Sequence, residues 1–230
     1  GAVVHKLGIK TTGASADAPG RSIAGGDIDG DGMNEIVVCT KDGRLRAYEA
    51  DGSIKWLSAP VACFMPSIAD LDQDGLPEVI DVGHVVSGES GATEATFATS
   101  PYVVVSDVDG DAVLDIVSPT RVHAADGSVK VDSGVVGRHA AVGDLDLDGV
   151  PEIISVDTPT HTISVWHVTG PGTFEVVRSG LDINYGISPN PCPVGSAGAT
   201  TGGGTPTIAH FNDDEYPDVG LAGGIGYVVF

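Results

Sequence analysis

Basic residues are scarce. The 230-residue chain has 11 Lys and Arg against 32 Asp and Glu, for a net charge of −21. Such a surface repels phosphate groups, which argues against nucleic acid and anionic membrane faces as partners. No run approaches the roughly 18 apolar residues of a membrane-spanning helix. The opening residues, GAVVHKLG, lack Met and the pattern of a signal peptide, which suggests a processed chain or an excised domain. The three cysteines form no CxxC pair, which argues against zinc. Cys39 ends the apolar run EIVVC and reads as a buried thiol; Cys63 and Cys192 sit in loops and are candidates to pair with each other. No GxSxG elbow occurs, and the glycine-rich stretch 195–204 lacks the lysine of a phosphate loop. No catalytic residue is assigned, and the chain is expected not to be an enzyme.

What is abundant is glycine and proline, 33 and 14 residues, beside short runs of Val, Ile and Thr. Turns must be dense and long helices few, which points to an all-β protein. The acids are not spread evenly. DIDGDGMNE (27–35) recurs as DLDQDGLPE (70–78), DVDGDAVLD (107–115) and DLDLDGVPE (144–152), with a decayed copy, HFNDDEYPD, at 210–218. Successive copies start 43, 37, 37 and 66 residues apart. Each lies between two short apolar runs, so the unit is strand, acidic loop, strand.

In two units an Asp-Gly turn follows, in RLRAYEADGSIKW (44–56) and TRVHAADGSVKVD (120–132). Asp-Gly between β-like runs is a strong hairpin signal. The first unit then holds strands at about 22–28, 35–41, 44–50 and 53–58. Four-stranded units repeating about every 40 residues are the signature of a β-propeller. A β-solenoid would need shorter rungs without hairpins. The expected blades are 22–58, 66–99, 102–134, 139–179 and 205–230, the last completed by a strand from 1–8. That strand would close a five-bladed ring and leave no open sheet edge; a chain cut mid-repeat from a longer array is the alternative. Residues 180–204 read as a long loop over one end.

The spacing D-x-D-x-D-G-x-x-[DE] has a chemical logic. A hard cation such as Ca²⁺ takes 6–8 oxygens at about 2.3–2.6 Å. A curled loop turns the side chains at positions 1, 3 and 5 towards one point, and the carbonyl of position 7 and the acid at position 9 complete the shell. The candidate ligands are Asp27, Asp29, Asp31, Met33 and Glu35 in the first loop, and Asp70, Asp72, Asp74, Leu76 and Glu78 in the second. They are Asp107, Asp109, Asp111, Val113 and Asp115 in the third, and Asp144, Asp146, Asp148, Val150 and Glu152 in the fourth. Asn212, Asp214, Tyr216 and Asp218 are the weaker set of the fifth, where His210 is a poor calcium ligand at position 1. An EF-hand places its last acid at position 12, between helices; here it stands at 9, before β-branched residues. Mg²⁺ demands stricter geometry, so calcium is preferred. Gly32, Gly75 and Gly149 suit the sharp turn at position 6, whereas Ala112 is expected to strain the third loop. Four or five bound ions are expected to add stability by binding the native state.

SIAGGDIDGDGMNEIVV, PSIADLDQDGLPEVIDVG and HAAVGDLDLDGVPEIIS resemble FG-GAP/VCBS repeats, the units of integrin-α-like propellers. The resemblance covers nearly the whole chain. It implies a structural calcium ion between the first two strands of each blade and an extracellular or cell-surface setting. It further implies adhesion or the binding of carbohydrate or protein. Relatives also occur as propellers in secreted polysaccharide lyases, so a scaffold or accessory domain of a larger enzyme is a second expectation.

Of the remaining polar residues, His84, His123, His139, His161 and His167 read as structural. Trp56 and Trp166 fall in strands and read as packing residues. Phe64, Met65, Asn184, Tyr185 and the 186–204 loop are the candidates for a binding surface.

Overall fold

The structure is a computed structural model, and it describes residues 17, 22–100, 102–183, 204–223 and 226–230. The expected closing strand at 1–8, and Asn184, Tyr185, Cys192 and nearly all of the 186–204 loop, lie outside the described residues. Among those described there are nineteen strands and no helix. The chain divides into two compact units, Gly1–Pro101 with Ala124–Ser128, and Tyr102–His123 with Val129–Phe230.

The first unit holds two four-stranded antiparallel sheets. One is β1 (Ile23–Gly26), β2 (Glu35–Cys39), β3 (Arg44–Tyr48) and β4 (Ile54–Pro60), in that spatial order. The other is β5 (Ser67–Ala69), β6 (Glu78–Asp81), β7 (His84–Ser87) and β8 (Thr93–Thr96), also in chain order. At Asp51–Gly52 the amide of Glu49 donates to the carbonyl of Ser53 at 2.9 Å, and Gly52 takes a φ of 85°. That left-handed position is where the Asp-Gly signal placed it. The β1 and β5 edges lie against one another; a Cβ on Gly26 would come within 3.4 Å of the Ile68 side chain.

Alternation places one side of the first sheet against the second. Val37, Cys39, Leu45, Ala47 and Trp56 share a core with Val79 and Val86. Trp56 is 7% exposed and its indole N–H donates to the carbonyl of Gly88 at 2.6 Å. A side chain on Gly91 would collide with that ring. Trp56 therefore packs between the sheets.

The second unit repeats the plan. β9 (Val104–Ser106), β10 (Asp115–Val117), β11 (Arg121–His123) and β12 (Val129–Asp132) form one sheet. β13 (His139–Gly143), β14 (Glu152–Asp157), β15 (Thr162–Gly170) and β16 (Thr173–Asp182) form the next. β17 (Thr207–Ala209), β18 (Asp218–Gly223) and β19 (Gly226–Val229) form a three-stranded sheet. All six residues of β14 are buried, because both faces of its sheet are covered. Ile153 and Trp166 join Val117 and Val122 on one face, while Ile154 and Val156 join Val219 and Leu221 on the other. Trp166 is fully buried and donates to Ser155 Oγ at 2.9 Å, and that hydroxyl donates in turn to the carbonyl of Pro119. β16 runs to Asp182, with Ile183 buried behind it. The strand thus extends past 179, where the sequence suggested that a loop begins.

The cysteines pair differently from expectation. Cys39, at the end of β2, is bonded to Cys63 in the segment after β4, with Cα atoms 5.5 Å apart. Cys39 is buried, as its apolar run implied, but as half of a disulfide. Asp17, also unforeseen, is buried against β3, where its carboxylate pairs with Arg46 and accepts the Tyr48 hydroxyl at 2.8 Å.

Candidate metal centres

All five acidic loops join the first two strands of a sheet, and one hydrogen-bond pattern runs through them. The acid at position 9 starts the second strand and accepts the amide of position 2. These pairs are Glu35 with Ile28 at 3.0 Å, Glu78 with Leu71 at 2.8 Å and Asp115 with Val108 at 3.1 Å. Glu152 with Leu145 at 2.7 Å and Asp218 with Phe211 at 2.8 Å complete the set. The acid at position 1 accepts the amide of position 6 in four loops, from Gly32, Gly75, Ala112 and Gly149. His210 breaks that pattern in the fifth loop. The acid at position 5 accepts the amide of position 7, from Met33, Leu76, Val113, Val150 and Tyr216. Short acidic side chains bonding their own backbone wind the segment into a tight curl.

The curl needs two left-handed residues. Position 6 has φ of 86°, 90°, 65° and 91° at Gly32, Gly75, Ala112 and Gly149. Ala112 thus bears the strain anticipated for it. Position 4 is also left-handed, at Gly30, Gln73, Gly110 and Leu147, with φ between 61° and 76°. Two of the four position-4 residues are glycine, a signal of this turn that the alternating aspartates do not carry.

The curl gathers carboxylates. Oxygens of Asp27, Asp29 and Glu35 lie within 4.8 Å of one another, as do those of Asp70, Asp72 and Glu78, and of Asp107, Asp109 and Asp115. Positions 1, 3 and 9 meet in these three loops. The position-5 acids stand outside those groups; Asp31 instead clusters with Asp29 and Glu49. In the fifth loop the Asn212 amide donates to Asp218 at 3.0 Å, so those two candidates bond to each other.

Among the described residues, two buried carboxylate oxygens have no partner. Glu35 is fully buried, and while its Oε2 takes the Ile28 amide, its Oε1 is unpaired; Asp70 Oδ1 is likewise buried and unpaired. A buried acceptor without a donor costs about 1–3 kcal/mol. Burial raises the pKa of Glu35 and Asp115, and it pushes Glu78 up to about 7, assisted by the charges of Asp72 and Glu94. A divalent cation among these oxygens would supply the missing partner and reverse the repulsion. The residues present fit a hard, oxygen-seeking ion.

Two lysines enter the loops. Lys55 pairs with Asp29, lowering the pKa of that carboxyl, and with Glu49 at 3.2 Å. Lys130 reaches three acids of the third loop. Neither was singled out from sequence. His167, read as structural, has its Nδ1 at 3.4 Å from Glu152 of the fourth loop. His84 bonds the carbonyl of Val82 at 3.2 Å, and His139 packs against Tyr102 with ring centroids 4.0 Å apart and the planes tilted by 43°. At the candidate binding surface, the amides of Phe64 and Met65 both donate to the buried carboxylate of Asp81, at 2.8 and 3.1 Å, which fixes the backbone there.

Residues 15–80, which hold the first two acidic loops, match the family model of the FG-GAP-like repeat. No curated protein matches the chain. Among solved structures, the V. cholerae biofilm matrix protein Bap1 aligns with a TM-score of 0.58 at 20% identity, over 71% of this chain and 28% of that one. The exotype rhamnogalacturonan lyase YesX aligns with a TM-score of 0.52 at 16% identity, over 93% and 58%. BBS1N, in complex with ARL6DN, aligns with a TM-score of 0.50 at 12% identity, over 94% and 68%. The chain therefore spans about a quarter of the biofilm protein and under two thirds of the lyase. At these identities the likeness is one of fold.

Proposed function

We propose that the chain is a calcium-stabilised β-propeller that acts outside the cell as a non-catalytic recognition or adhesion module. The observation that carries the calcium reading is the buried carboxylate of Glu35. One oxygen is bonded, the other is unpaired, and Asp27 and Asp29 stand within ligand distance. Five sheets in series and the touching first strands within each unit support a propeller of five blades. In this reading residues 1–8 supply a fourth strand to the fifth sheet, which has three among the described residues. The Cys39–Cys63 disulfide suits an oxidising compartment, and the acidic surface suits a calcium-rich medium.

The ligand is a glycan or a matrix protein. A second reading, a scaffold or accessory domain of a larger secreted enzyme such as a polysaccharide lyase, draws on the alignment of 93% of this chain with the lyase. Calcium titration by calorimetry, with melting in calcium and in EDTA, tests the first part. No heat of binding and an unchanged Tm would refute it. A glycan and matrix-protein array probed in calcium and in EDTA tests the second part; calcium-dependent binding supports recognition, and a blank array favours the scaffold.

A further inference from the structure

The outer strand of four sheets carries a β-bulge at one common register. The break falls between Ala47 and Tyr48, Val85 and Val86, Val122 and His123, and Val165 and Trp166 of the neighbouring strand. In each sheet the second residue of that pair faces the residue after the position-9 acid: Tyr48 faces Ile36, Val86 faces Val79, His123 faces Ile116 and Trp166 faces Ile153. The four bulges are therefore equivalent. The unpaired residue is Lys55, Glu94, Lys130 or Val177. A bulge removes one residue from the ladder and re-aims its side chain.

What that side chain brings differs from loop to loop. Lys130 Nζ lies 2.6 Å from Asp109, 3.0 Å from Asp111 and 2.8 Å from Asp115, which are positions 3, 5 and 9 of the third loop. Three ammonium donors meet three carboxylates. Lys55 reaches only Asp29 of the first loop and leaves Glu35 Oε1 unpaired. Glu94 adds a negative charge to the second, where Asp72, Glu78, Glu94 and Asp126 line one open cavity of about 270 Å³.

We propose that the bulge residue decides whether an acidic loop carries its own cation, and that Lys130 is the resident cation of the third loop. That loop keeps its shape without metal, while the second, with Glu94, depends on an ion from solution. A divalent ion entering the third loop must displace the ammonium or sit against it, at a Coulombic cost. The proposal rests on the calcium reading of the other loops and assigns the differences among them.

The test is the melting temperature of wild type, Lys130→Met and Glu94→Lys, each in EDTA and in calcium. Lys130→Met should melt lower than wild type in EDTA. Its calcium-induced rise should exceed that of wild type by about 5–10 °C, the shift from one added site at a hundredfold excess over its Kd. An equal or smaller rise overturns the proposal. This comparison decides even if wild type ignores calcium, a result that would refute only the reading of the other loops. Should Lys130→Met fail to fold in either buffer, Glu94→Lys decides: a Tm above wild type in EDTA supports the proposal, and an unchanged or lower one overturns it.

Discussion

Replacing Glu78 by Gln should stabilise the protein without calcium and leave its stability nearly unchanged in calcium. Glu78 begins β6, is 5% exposed, and holds the Leu71 amide through Oε2. Gln keeps that acceptor and the side-chain volume but removes the charge. Burial, with Asp72 and Glu94 nearby, raises the pKa of Glu78 from 4.5 to about 7. The folded state therefore holds this proton more tightly than the unfolded state. The stability so gained is complete below about pH 4.5 and is lost as pH rises through about 7. At pH 8 the ionised group costs about 3 kcal/mol in metal-free protein. Glu78→Gln should thus raise Tm in EDTA at pH 8, by about 2–4 °C per kcal/mol recovered. Its Tm should also fall less than that of wild type between pH 5 and pH 8. In calcium that advantage should almost vanish, because the second loop loses a ligand and with it about 2.7 kcal/mol of linkage at a hundredfold excess over Kd. Scanning calorimetry of both proteins, in EDTA and in calcium, measures all of these. If Glu78→Gln gains as much Tm from calcium as wild type does, Glu78 is not a ligand and the assignment of the second loop fails.

Reducing the Cys39–Cys63 bridge, which closes a loop with a sequence separation of 24, should cost about 3.5 kcal/mol by the chain-entropy relation. Melts with and without reductant, beside the double Cys→Ala variant, check it, and an unchanged Tm would show that the bridge does not form. Trp166→Ala should lose about 3–5 kcal/mol, since it empties a fully buried site and strips Ser155 Oγ of its donor; urea unfolding reads the loss. Ala112→Gly should gain about 1 kcal/mol, because glycine adopts a φ of 65° without the Cβ penalty. The same change at Ala125, in an ordinary turn, is the control.

The acidic loops were legible because their chemistry is local. Aspartates at alternate positions bond the backbone two and five residues on, and an acid at position 9 closes each curl onto the strand that follows. Local pattern likewise placed Asp51–Gly52 in its hairpin, and Trp56 and Trp166 in the packed interior. It placed Cys39 in the core but did not find its partner, because burial of a residue in EIVVC says nothing about which distant cysteine is brought to it, here with Cα atoms 5.5 Å apart. Lys55 and Lys130 looked like ordinary outer-strand residues. Only the bulge, which depends on how β4 and β12 align with their neighbours, turns them into loops that lie 26 and 15–21 residues away in sequence. Backbone dihedrals and short-range hydrogen bonds are set by nearby residues, so sequence by itself determined the curls and the strands that flank them. Which curl receives a charge from elsewhere depends on strand register, and tertiary structure alone decided that.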